Sequence, residues 1–279
     1  MNFLYNSDNN VLLDEFLKSY DSLFKIDIEK AKKIIKETKK YYNKEIETPT
    51  YCGDLEKRWY DSLTKNNVDY SVYDDEYYFT DVWVCWTMYS KNYLKNICKH
   101  NSLDGTSSVL SYLKDIKSVI DLGNGIGFTT GTLAQIFDNA KVYGYNIENT
   151  RQFQFNQLQA EKYHFKMVSD FKNIGQIDLI FASEYFEHIT NPIDHLKEII
   201  KYLNPKYLII ANSFNTISVG HFNEYTVNDK IVGSNIISKI FNKELKENKY
   251  NLLKTKMWNN KPNIWYKNTE ESPLSKFLK

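Results

Sequence analysis

Asp121-Leu122-Gly123-Asn124-Gly125-Ile126-Gly127 sets a carboxylate and three alternating glycines in one short stretch. The apolar run Ser118-Val119-Ile120 precedes it, and a helix-like segment, Thr130 to Phe137, follows. Glycine takes positive φ freely and lets a ligand approach the backbone closely. A helix start adds unpaired amide N–H groups and a positive dipole end, which suit a carboxylate or phosphate. The spacing excludes two nucleotide loops. A dinucleotide fingerprint needs G-x-G-x-x-G. Counted from Gly123 its last position is Phe128, and from Gly125 it is Thr130. A phosphate loop needs a lysine that this stretch lacks. Ser183-Glu184-Tyr185-Phe186-Glu187-His188-Ile189 and Gly220-His221-Phe222 supply acids and imidazoles. Histidine titrates near neutrality, so His188 and His221 are candidates for taking a proton from a hydroxyl or amine. His195 is expected to pack. Glu184, Asn212 and the two histidines lack a recognised ligand spacing, so no metal is expected. Cys52, Cys85 and Cys98 are odd in number and form no C-x-x-C pair, so they suggest neither a disulfide framework nor a zinc site.

Side chains of this kind need strand ends to hold them. From residue 106 onward the chain alternates strand and helix. Strands are expected at Val119–Asp121, Lys141–Tyr145, Phe165–Val168, Ile177–Ala182 and Tyr207–Asn212, with helices such as Ile193–Leu203 between them. This rhythm predicts an α/β, doubly wound parallel sheet. Asn228–Lys246 reads as a further helix. Leu252–Trp258 and Asn263–Lys267 flank Asn259-Asn260-Lys261-Pro262, a hairpin signal. Residues 1–105 read as a mostly helical N-terminal domain, with helices over Val11–Leu23, Ile26–Tyr42, Leu55–Leu63 and Val82–His100. Thr48-Pro49-Thr50 interrupts them, and Asp104-Gly105 marks the boundary to a second domain, 106–279. Tyr70–Phe79 reads as a lid or a solvated loop, and Arg58 as a surface ion-pair partner.

The pattern D-x-G-x-G-x-G over Asp121–Gly127 resembles the first motif of class I (Rossmann-like) S-adenosylmethionine-dependent methyltransferases. Ser183–Ile189, with Asp178-Leu179-Ile180 before it and Asn191-Pro192 after it, resembles the Glu-His-Ile segment after the fourth strand in their small-molecule type. The resemblance spans about residues 106–268. It implies a seven-stranded sheet ending in an antiparallel hairpin, and S-adenosylmethionine as cofactor. It further implies that Asp121, Gly123, Gly125 and Gly127 hold the methionine moiety. An acid usually grips the ribose after the second strand; here Asn146 stands there, with Glu148 two residues on. Asp170 and Phe171 would read the adenine, and Ser183 and Glu184 would face the cofactor. His188 would lie near the methyl donor and His221 near the acceptor, as catalytic groups. Residues 1–105 lie outside the resemblance and are expected to form an acceptor pocket or lid.

Lys and Arg number 36 against 35 Asp and Glu, so no global charge draws the chain to nucleic acid or an anionic membrane. No apolar run reaches the ~18 residues of a membrane span. The opening residues include Asp8, Asp14 and Glu15, unlike a signal peptide. A cytoplasmic setting without a membrane partner is therefore expected. The Asp-Pro-Pro-Tyr and Pro-Cys motifs of common DNA methylation chemistries are absent. The expected acceptor is a small molecule or nucleotide. A DNA- or RNA-modifying methyltransferase of a virus or phage stays open, as does a non-catalytic partner protein, to which Asn146 lends support. The acceptor atom is open as well, because one fold serves oxygen, nitrogen and carbon.

Overall fold

The computed structural model describes residues 3–47, 49–65, 67–113, 115–268, 274 and 276. Carboxylates start three of the N-terminal helices by accepting from otherwise unpaired backbone N–H groups. Asp8 caps α1 (Asn9–Phe24), and Asp27 caps α2 (Ile28–Tyr42). After α3 (Cys52–Thr64), Asp75 caps α4 (Glu76–Cys85). Thr48 of the expected breaker lies outside the described residues.

Two N-terminal expectations change. The single helix over Val82–His100 is instead the end of α4, a π-type turn at Trp86–Ser90, and α5 (Lys91–Cys98). A π turn holds one extra residue and so re-aims the side chains around it. Tyr70–Phe79 is a 3-10 turn, Tyr70–Asp74, running into α4, with Val72, Tyr78 and Phe79 buried. Tyr73 and Tyr78 meet edge to face, their centroids 4.9 Å apart. Burying these rings outweighs leaving the segment in water. Arg58 does form ion pairs, with Asp69 at 2.9 Å and Asp75 at 3.0 Å.

The remaining chain builds the expected sheet. Its strands are β1 (Ser118–Leu122), β2 (Lys141–Tyr145), β3 (Lys166–Val168), β4 (Leu179–Ser183) and β5 (Tyr207–Ala211), then β8 (Tyr250–Leu252) and β9 (Asn263–Lys267). The order is β3-β2-β1-β4-β5-β9-β8; the first five are parallel, while β9 runs against β5 and β8 against β9. Successive side chains take opposite faces. Val119, Leu179, Phe181, Ile209 and Ile264 fill one layer, and Ile120, Ile180, Leu208, Ile210 and Trp265 fill the other. Burial on both faces explains why these strands read as near-continuous apolar runs. The helices α6 (Phe128–Ile136), α7 (Arg151–Tyr163), α8 (Pro192–Leu203) and α9 (Ser234–Glu247) complete the layers.

The helix expected over Asn228–Lys246 begins later. β6 (Glu224–Val227) and β7 (Lys230–Gly233) form a separate hairpin. Asn228 and Asp229 both have positive φ, 48° and 59°, as a two-residue hairpin turn demands. No helix among the described residues is long and apolar enough to cross a membrane. Strand order reverses direction between β1 and β4, and their carboxyl ends open the crevice where such sheets bind ligands.

Candidate active site

Gly123, Gly125 and Gly127 all have positive φ, at 67°, 52° and 79°. A Cβ on Gly123 would run into the Tyr185 ring, and one on Gly125 would lie 2.9 Å from Val82 Cγ1. Conformation and space together therefore demand glycine. Neighbouring elements clasp the loop. The Gly123 and Asn124 N–H groups donate to the Tyr145 carbonyl at 3.0 and 3.2 Å. Asn156 Nδ2 donates to the Gly125 carbonyl at 2.5 Å, and Asn124 Nδ2 to Asn156 Oδ1 at 3.0 Å. Gly127 forms the N-terminus of α6, where no side chain caps the first turn. Those amides stay available to a ligand. Asp121 is buried beneath the loop and accepts from the Thr130 hydroxyl at 2.7 Å. Burial pushes its carboxyl up to about 7, and the Thr130 bond opposes that rise.

At the end of β2, Asn146 lines the cavity. Its amide donates to Asn124 Oδ1 at 3.3 Å and to Gln152 Oε1 at 3.4 Å, while its Oδ1 accepts from Ile147 N. Gln152 is itself buried and lines the same space. Sequence reasoning passed over it, although its place in the first turn after β2 was a usable signal. Glu148 is not in this wall. It is exposed and accepts from the Ser169 hydroxyl. Asp170 is also exposed, accepting from Lys172 N at 2.8 Å and Asn173 Nδ2 at 2.8 Å, a local turn bond. Phe171 is buried behind Tyr145, their centroids 5.4 Å apart. Tyr145 and Ile147 present the side chains that face the cavity here.

The end of β4 carries the densest chemistry. Glu184 has φ 52°, a left-handed conformation unusual for a non-glycine residue and common at functional sites. Its N–H donates to the Ala211 carbonyl at 2.8 Å, and its Oε1 accepts from Ser213 Oγ at 2.9 Å. Ser183 lines the cavity beside it and accepts from Ser90 Oγ at 3.2 Å. Glu187 is fully buried; its Oε1 accepts from Ser213 N at 2.6 Å. His188 reaches the cavity with its ring edge to face against His221, centroids 4.7 Å apart. Burial, then the neighbouring His221, holds His188 well below the usual imidazole range. Burial also lowers His221 to about 4. Both imidazoles are therefore neutral at pH 7. The Tyr73 hydroxyl lies 3.3 Å from His188 Nδ1 and donates to the Gly220 carbonyl at 3.4 Å. His195 also reaches this wall, its Nε2 2.7 Å from the Tyr185 hydroxyl.

The N-terminal helices close the cavity, which measures about 880 Å³. Trp59 Nε1 on α3 donates to the His221 carbonyl at 2.7 Å and fixes that loop. Tyr42 donates to Asp81 Oδ1 at 2.5 Å, and burial raises the Asp81 carboxyl to about 6. Trp86, Tyr89 and Ser90 come to the wall from the π turn. Lys261 is the one Lys or Arg side chain in the lining among the described residues.

A family model described as "Methyltransferase domain" matches residues 92–252. No curated protein matches the chain. Solved structures similar to it include the mitomycin 7-O-methyltransferase MmcR, at 9% identity and TM-score 0.48, covering 76% of this chain and 66% of that one. The plantazolicin methyltransferase BpumL, in complex with a pentazolic desmethylPZN analog and SAH, is similar at 16% identity and TM-score 0.39, covering 66% and 61%. A fibrillarin pre-rRNA processing protein of Methanococcus jannaschii gives 17% identity and TM-score 0.39, covering 55% and 65%. The chain spans under two thirds of the length of the first structures it matches.

Proposed function

This chain belongs to the methyltransferase-domain family, and from that premise we propose that it methylates a small molecule bearing a hydroxyl or amine. S-adenosylmethionine is its cofactor. The residues fit that group: an uncapped helix start, glycines with no room for a side chain, and a cavity in the size range of small-ligand sites. In this reading Asp121 and the Gly123–Gly127 loop hold the amino-acid end. Asn146 and Gln152 take the ribose hydroxyls through neutral hydrogen bonds in place of a carboxylate. Tyr145 and Ile147 flank the base, with Phe171 supporting Tyr145 from behind. Ser183 and Glu184 face the reacting end. Bound there, the cofactor supplies a methyl on a positively charged sulfur and departs as neutral S-adenosylhomocysteine.

His188 is the proton acceptor. The Tyr73 hydroxyl, already donating to Gly220, accepts from His188 Nδ1–H, which leaves Nε2 with its lone pair. A neutral imidazole can take the acceptor's proton as the new bond to carbon forms. Residues 1–105 build the acceptor wall and residues 106–279 carry the cofactor. Aromatic rings on that wall orient an acceptor and keep water away, so that positioning contributes to the rate.

One observation carries the choice of acceptor: among the described residues the cavity wall holds one Lys or Arg side chain, Lys261, amid many aromatic ones. Nucleic-acid sites depend on arrays of Lys and Arg against phosphates. Calorimetry with S-adenosylhomocysteine tests the cofactor site, and absence of binding overturns the reading. Binding of the chain to DNA or RNA with a steep salt dependence would overturn the small-molecule choice.

A further inference from the structure

The geometry points to a divalent-cation site formed by Glu184, Glu187 and His221 at the acceptor end of the cavity. One ligand atom from each lies within 4.8 Å of the other two. They come from separate places: the end of β4, the 3-10 turn Phe186–His188, and the loop before β6. No sequence spacing advertises them.

Each ligand is already oriented by a second bond. Ser213 serves both acids, its hydroxyl donating to Glu184 Oε1 and its N–H to Glu187 Oε1. His221 Nδ1 donates to the Thr216 carbonyl at 2.8 Å, which leaves Nε2 unprotonated. A metal-binding histidine characteristically spends its other nitrogen on a carbonyl in this way. Glu187 Oε2 supplies the independent sign. It is buried, on a residue with no exposure, and has no hydrogen-bond partner. A bare buried carboxylate oxygen is costly unless a cation or donor meets it. Burial pushes both acids above the usual carboxylate range, and at Glu187 the neighbouring Glu184 carboxylate adds to the rise. A divalent ion would relieve both effects.

Two carboxylates and one imidazole suit an ion that accepts oxygen and nitrogen alike, such as Mn2+. Three protein ligands leave coordination positions for water or an acceptor oxygen. A hydroxyl bound there would lose its proton more readily. That last role rests on the methyl-transfer reading; the cation site does not.

The test is a Mn2+ titration of the full chain, followed by loss of the free-ion EPR signal. One ion per chain is expected. Glu187→Gln keeps the acceptor for Ser213 N but removes the charge, and should weaken binding at least roughly tenfold. Glu184→Gln, a less buried position, gives the same reading if Glu187→Gln does not fold. Asp104→Asn, in an exposed turn, should bind as the parent does. A parent chain that leaves the signal unchanged up to about 1 mM Mn2+, where even weak sites fill, overturns the site. Parent-like affinity in both glutamine variants overturns it too. Calorimetry with S-adenosylhomocysteine on the same samples separates this from failure of the methyl-transfer reading.

Discussion

His188 and His221 meet at 88° with their ring centroids 4.7 Å apart, although 33 positions separate them in the chain (221 − 188). The contact joins the 3-10 turn after β4 to the loop before β6 and divides the imidazoles by role. His221 spends Nδ1 on Thr216, whereas His188 turns toward Tyr73 and the cavity.

Replacing the proton acceptor should slow chemistry without loosening the cofactor. His188→Ala is expected to lower kcat by about 100- to 10,000-fold. Affinity for S-adenosylhomocysteine should stay within about threefold, since that ligand needs no base. Steady-state kinetics beside calorimetry checks the pair. A parallel loss of affinity would assign His188 to cofactor binding instead.

Asn146→Asp should weaken cofactor binding even though it supplies the acid that the sequence resemblance leads one to expect there. The Asn146 amide donates to Asn124 Oδ1 and Gln152 Oε1. A carboxylate would face those two oxygens with no proton to share, a cost of about 1–3 kcal/mol for the groups left unpaired. Calorimetric affinity and the melting temperature should both fall. A tighter complex would show that the ribose site accommodates the charge.

Gly123→Ala should lose both stability and ligand. Positive φ strains a side-chain residue by about 1–3 kcal/mol, and the new methyl meets the Tyr185 ring. Thermal melting and calorimetry measure the two effects. Unchanged values in both would mean that the loop relaxes freely.

Asp121 sets a pH slope. Its carboxyl in the folded chain, pushed by burial to about 7, lies above the ordinary value of 3.8. Between these values the folded chain binds more protons than the unfolded one, so stability falls as pH rises from about 4 to 7. Asp121→Asn keeps an oxygen for the Thr130 hydroxyl and has no charge to bury. The difference in melting temperature between variant and parent should therefore grow across that range. A constant difference would mean that Asp121 does not titrate there.

Much of this molecule was legible in one dimension. Strands buried on both faces must be apolar, so the runs at Val119, Leu179 and Leu208 announced the parallel sheet. Alternating glycines announced a loop with positive φ, because few other residues can occupy one. The Asn228-Asp229 turn is local as well, yet the apolar residues around it carry a helical spacing that the hairpin overrides. Those features are local: backbone sterics and side-chain period decide them within a few residues.

What gathers around the cavity is not local. Glu148 and Asp170 stand at the expected strand ends, yet hydrogen bonds to Ser169 and Lys172 hold them on the surface, while Gln152 reaches in from α7. Glu187 joins Glu184 and His221 only because Ser213 ties both acids and Trp59 anchors the carbonyl of His221. The sequence by itself determined the fold and the glycine loop. Only the tertiary structure decided which charged and polar groups leave water together, because desolvation depends on what packs around a side chain rather than on its neighbours in the chain.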